Sequence, residues 1–179
     1  MKKFLLILIL PVMLVVSSCD TLQTEEVLQN EAVLKSAPMV KNFRAHLSGD
    51  QEVPAVETNA TGQAIFQLSK DGMTLSYKLI VANINDVRMA HIHLAPAGVN
   101  GGVVVWLYPA SAPPVLIPGK SNGILAQGEI TEADVTGALA AEDEPFEALL
   151  EAIKAGNTYV NVHTVAYGGG EIRGQINAN

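Results

Sequence analysis

The chain has 179 residues, enough for one ordinary domain plus a targeting segment and too few for two sizeable domains. Aromatic residues are only 5% of it, so the core must come from Val, Ile, Leu and Ala. A formal charge of -7 repels nucleic-acid phosphate and anionic headgroups, which argues against both as ligands, and a lone cysteine excludes an intramolecular disulfide and a multi-thiolate zinc site.

In chain order, Lys2 and Lys3 precede an apolar run from Phe4 to Val16 that is shorter than the roughly 20 residues of a bilayer span. A basic start, a short apolar stretch and small residues make a secretory signal. The run ends in Val16-Ser17-Ser18-Cys19, which looks like the bacterial lipobox: an aliphatic residue, two small ones and the cysteine. The resemblance implies a signal peptide over 1–18, cleavage before Cys19 and acylation of that residue. Several acyl chains anchor a protein durably, so the expected location is the cell envelope, outside the cytoplasm, on the inner or the outer membrane. Residues 19–40 are polar with no strand alternation and read as a lipidated tether, loosely helical around Glu25 to Lys35.

From residue 41 on, the pattern predicts a single domain, 41–179, of β-structure. Phe43, Ala45 and Leu47 alternate with Arg44, His46 and Ser48, and Ala64, Phe66 and Leu68 alternate with Gln63, Ile65 and Gln67. Asp71-Gly72 is a hairpin signal before Leu75, Tyr77, Leu79 and Val81. Further strands are expected over 87–94, 102–108, 124–130, 158–164 and 170–176. Together they predict an all-β fold, an antiparallel Greek-key sandwich or barrel, with one short helix. That helix opens at Glu144-Pro145, sets Phe146, Leu149, Leu150 and Ile153 on one face and ends at Gly156. Thr131 is placed to cap a shorter turn carrying Asp134.

Strand parity places the histidines. With Ala90, Ile92 and Leu94 toward the core, His91 and His93 share the opposite face. With Val160 and Val162 inward, Tyr159, Asn161 and His163 point away from the core, as do Glu171, Arg173 and Gln175 on the last strand. A three-residue loop at Ala166-Tyr167-Gly168 sets His163 across from Glu171 and Asn161 across from Arg173. A one-residue slip would put His163 against a core isoleucine. In this register Glu171 is a candidate partner orienting the His163 imidazole. His91 and His93 at i and i+2 can reach one ion, and His163 completes three nitrogen ligands if its strand is their neighbour. Imidazole suits copper or zinc, with a fourth position for water or an external ligand. The same residues also suit a plain polar face that hydrogen-bonds backbone, and His46 fits only that description. No residue stands out as catalytic: no Ser-His-Asp order or close carboxylate pair is visible.

Six pieces in order resemble the CHRD (chordin) domain family over about residues 41–177. They are Phe43-Arg44-Ala45-His46-Leu47-Ser48-Gly49 with Gln51-Glu52-Val53-Pro54, Ala60-Thr61-Gly62-Gln63-Ala64, Ala90-His91-Ile92-His93, Gly98-Val99-Asn100-Gly101-Gly102-Val103-Val104-Val105, Tyr159-Val160-Asn161-Val162-His163-Thr164, and Gly170-Glu171-Ile172-Arg173-Gly174-Gln175-Ile176. Two departures fall in one loop: Gly101-Gly102 where the family usually has Gly-Pro, and Leu94-Ala95-Pro96 where a glycine usually follows the second histidine. For a bacterial lipoprotein member the resemblance implies an extracytoplasmic β-domain, superoxide-dismutase-like or immunoglobulin-like. It does not extend to the growth-factor antagonism of the multidomain animal protein. A more distant likeness to copper/zinc superoxide dismutases covers His91, His93, His163 and the stretch Gly169 to Gly174. That likeness lacks a cysteine pair and the histidines of a two-metal site. The reading that follows is an envelope binding or interaction module with a protein or glycan partner. Its rival is a copper- or zinc-dependent enzyme or metal carrier, and a third is a purely structural envelope protein.

Overall fold

A computed structural model describes residues 42–179. The expected signal segment, Cys19 and the expected tether lie outside the described residues. The domain is an antiparallel barrel of eight strands, β1 (Asn42–Ser48), β2 (Thr61–Leu68), β3 (Leu75–Leu94), β4 (Gly102–Tyr108), β5 (Ile117–Ile130), β6 (Thr158–Thr164), β7 (Ile172–Gln175) and β8 (Asn177–Ala178), with one α-helix, α1 (Pro145–Lys154). Neighbours run β2-β1-β7-β6-β3-β4, and β3 also pairs with β2, which closes the sheet on itself.

β3 is the strand that makes closure work. The sequence predicts two strands here, 75–81 and 87–94; the structure makes them one strand of 20 residues. Its first half pairs with β2 and β5, and its second half with β4 and β6. Between the halves Asn83 and Asp86 adopt left-handed backbone, φ 58° and 52°, which asparagine and aspartate tolerate better than other side chains. Asn122 accepts from Asn83 N–H at 2.9 Å and Asp86 accepts from Gly119 N–H at 2.7 Å, so the irregular turns of backbone are held by the strand beside them. These residues look like loop in sequence because turns also select them.

β5 likewise begins earlier than its pattern suggests, at Ile117 instead of 124. The stretch Pro118-Gly119-Lys120-Ser121-Asn122-Gly123 reads as loop, yet it pairs along β3. The strand lies on an edge, where proline and glycine cost little.

The interior is aliphatic, as composition requires: Phe43, Phe66, Leu79, Ile92, Val160 and Ile172 are all fully buried. Helix α1 starts with Pro145 in its first turn and buries Phe146, Leu149, Leu150 and Ile153, each worth about 1.5–3 kcal/mol of apolar burial. It ends at Gly156, whose φ of 71° a larger side chain resists. It packs on the 3-10 turn Gly137–Ala141 and on β8. Asp134 accepts from both the N–H and the hydroxyl of Thr131, 2.8 Å each, giving the capped turn expected there. No helix among the described residues is long and apolar enough to cross a membrane.

Candidate metal centre

The second half of β3 and all of β6 lie side by side, pairing His91 with Asn161 and His93 with Tyr159. Directly paired residues share a face, so His91, His93, Tyr159, Asn161 and His163 stand together, opposite Ala90, Ile92, Val160 and Val162. Two register shifts separate β3 from β4, and in both the extra residue, Leu107 or Val104, is on β4. β3 therefore stays regular where the histidines are. Every residue of β6 is buried, and the exposures of His91, His93 and His163 are 3%, 8% and 6%. A face that alternation marks as polar is thus covered, by loops that reach it from 49–60, 95–101 and 165–171.

The three imidazoles converge: one ring nitrogen from each lies within 4.8 Å of the others. His91 Nδ1 and His163 Nε2 are 3.2 Å apart. Two nitrogens bound tetrahedrally at about 2.0–2.1 Å stand about 3.3 Å apart, so this pair already has the spacing of co-ligands. Backbone carbonyls fix the tautomers. His93 Nδ1–H donates to Gly101 O and His163 Nδ1–H donates to Gly168 O, both at 3.0 Å, which leaves each Nε2 with a lone pair. Without an ion, His91 Nδ1–H donates to His163 Nε2; for both to ligate, that proton has to pass to His91 Nε2. His91 Nε2 and His93 Nε2 are buried with no hydrogen-bond partner, an arrangement that costs stability unless something else meets them.

Burial also sets the protonation state. Desolvation, with the nearby His163 and His93, pushes the His91 pKa down to about 3. Desolvation outweighs the Gly168 bond and takes His163 down to about 4, and it lowers His93 as well, helped by the charge of Arg173. All three are neutral imidazoles at neutral pH, the form that binds metals.

The family model for the CHRD domain matches residues 43–176, nearly the whole described barrel. The chain belongs to the CHRD domain family. No curated protein and no solved structure matches it.

Around the histidines the CHRD domain builds a buried clasp. The Tyr159 ring stacks on His93, centroids 4.8 Å apart and 7° from parallel, and its hydroxyl accepts from Gly101 N–H at 3.2 Å. The Arg173 guanidinium sits 4.1 Å from the same ring. Arg173 Nε and Nη2 both lie 3.2 Å from the Glu52 carboxylate, while Nη1 donates to Val99 O and Nη2 also donates to Asn100 Oδ1. Glu52 Oε1 accepts from Asn161 Nδ2 at 2.9 Å, and Asn100 Nδ2 donates to Val53 O at 2.9 Å. One arginine thus ties the loops carrying Glu52 and Asn100 across the histidine face. Burial pushes the Glu52 carboxyl up while Arg173 pulls it down. Gly170, at φ 130°, closes the clasp, since a Cβ there would run into Glu52 and the Asn161 amide.

Glu171 and His46 stand elsewhere than in the centre. The β6–β7 register is the anticipated one, pairing Asn161 with Arg173 and Val162 with Ile172. Yet the Glu171 carboxylate accepts from Thr58 Oγ1 at 2.7 Å, and Gly168 O takes the His163 Nδ1–H instead. The glycine-rich turn between β6 and β7 folds its own carbonyl back to the ring, which no side-chain pattern announces. His46 is exposed on β1, outside the cluster. Parity put Tyr159, Asn161 and Arg173 on the right face without indicating their roles. Glu52 carried no periodic signal, and Trp106, edge-on to His91 with centroids 4.2 Å apart, was indistinguishable from a β4 core residue.

A cavity of about 320 Å³ opens beside this site, lined by His93, Tyr159, Tyr167, Asn100, Gly101, Gly169, Gly170, Glu52 and the segment around Val53-Pro54.

Proposed function

We propose that this CHRD domain is an extracytoplasmic binding module of the bacterial cell envelope, anchored through acylated Cys19 and holding one metal ion on His91, His93 and His163. The observation that carries the metal is three buried neutral imidazoles with one ring nitrogen from each within 4.8 Å of the others, in a cluster that leaves His93 Nε2 without a partner. Buried polar atoms ordinarily find a partner, and the cluster leaves His91 Nε2 and His93 Nε2 without one. The lipobox carries the anchor, and membership of the CHRD family supports a binding role outside the cell.

Elemental analysis of the purified chain, with copper and zinc titration, tests the reading. One equivalent of copper or zinc is expected, lost in His91→Ala and in His163→Ala. A folded protein that binds neither metal overturns it. Labelled palmitate incorporated by the chain and lost in Cys19→Ser checks the anchor.

The cavity at His93 favours a second reading, a metal carrier or a copper- or zinc-dependent enzyme in which an external ligand reaches the ion. The binding reading ranks first because the cavity's carboxylate, Glu52, is committed to Arg173 and Asn161. A protein or glycan at the cell surface is the partner class that suits the module.

A further inference from the structure

Met89 belongs to the histidine face but takes no part in the interactions above. It pairs with His163 in a register that runs without a break from Met89 to Leu94, so Met89, His91 and His93 occupy alternate positions on one face of β3. Paired residues hold their Cβ atoms about 4.5–5.5 Å apart, and a methionine has three rotatable bonds beyond that point. Met89, half-buried, therefore roots its side chain one cross-strand position from His163, whose Nε2 meets His91 Nδ1.

The charge around the site adds a second, independent observation. No carboxylate joins the imidazole cluster among the described residues. Glu52 is held by Arg173 and Asn161, and Glu171 by Thr58. The cation beside His93 and His163, Arg173, is paired with Glu52, so the cluster has no carboxylate left over to balance an incoming ion. A divalent ion would enter a buried site of neutral donors with no counter-charge of its own. Desolvation cost grows with the square of the charge, so a monovalent ion pays about a quarter as much.

We infer, resting on the metal-binding reading above, that the site is built for copper(I), held by His91, His93 and His163 and closed by the Met89 thioether. Thioether and imidazole are the donors that suit a soft monovalent ion, and thioether is a poor ligand for zinc.

The test is an anaerobic competition titration against a chromophoric copper(I) chelator, beside a zinc titration. It uses the full chain carrying Cys19→Ser, so that no free thiol competes. Met89→Leu keeps the side-chain volume and leaves the fold intact. It is expected to weaken copper(I) binding by about tenfold or more while zinc affinity stays within about twofold. Copper(I) affinity unchanged by Met89→Leu, or an equal loss for both ions, overturns the inference. Zinc bound through His91 without Met89-dependent copper(I) binding would retain the proposed function and overturn only this assignment. No metal binding dependent on His91 would overturn both.

Discussion

The two halves of β3 follow the same alternation and end in different chemistry. In the first half Leu75, Leu79 and Val81 are buried while Ser76, Lys78 and Ile80 lie partly or fully open, the ordinary condition of a barrel strand with one wet face. In the second half Ala90 and Ile92 point inward just as regularly, but His91 and His93 opposite them are buried as well. What differs is the cover. Polar side chains on a wet face are hydrated and inert; roofed by loops, they lose their water, stay neutral and must find other partners. The lesson is that a site in this fold is made as much by the residues that hold the roof as by the histidines under it.

The largest test of that comparison breaks the roof and leaves the strand alone. Glu52→Gln removes the charge opposite Arg173, and an uncompensated buried guanidinium costs about 3–5 kcal/mol. The equivalent change on the wet half, Lys78→Ala, is expected to stay within about 0.5 kcal/mol, because the side chain is exposed and away from such features. Urea denaturation of the two variants gives the contrast directly. Equal, small losses would mean that the clasp decorates the face and does not hold it.

How much of this was legible in the sequence follows from which signals are periodic. Alternation located the face, and the hairpin register at Asn161 and Arg173 followed from a three-residue loop combined with parity. Helix α1 and the Thr131–Asp134 cap were equally plain, because caps and apolar stripes are local. The roof was not legible. Glu52 and Asn100 sit in loops with no repeat, and their meeting with Arg173 joins residues far apart in the chain. Local chemistry also misled, at Pro118 to Gly123 of β5 and in two further places. Asn83 and Asp86 carry turn signals inside a continuous strand, since the left-handed backbone that suits turns also suits a bend. Glu171 had the right register for His163, but register fixes where a side chain begins, and Thr58 lay at its end.

The smallest effect is the sharpest probe of whether the roof excludes water. His91 and His163 have folded pKa values of about 3 and 4, below the ordinary histidine value near 6.5. Between those limits the unfolded chain takes up protons that the folded barrel refuses, so stability falls as pH drops below about 6.5 and the loss is complete only near the folded values. Above about 6.5 both states are neutral and the two histidines add no pH dependence. Arg173 and Glu52 face the same cluster, but a neutral replacement of one histidine leaves both in place. His91→Gln in the metal-free protein is therefore expected to reduce the slope of unfolding free energy between pH 6.5 and 4.5 by about 1.4 kcal/mol per pH unit, one proton's worth. The first half of β3 has no histidine and adds nothing to this slope. An unchanged slope would mean that water reaches His91 and lets it charge in place, and the two halves of the strand would then differ in geometry alone.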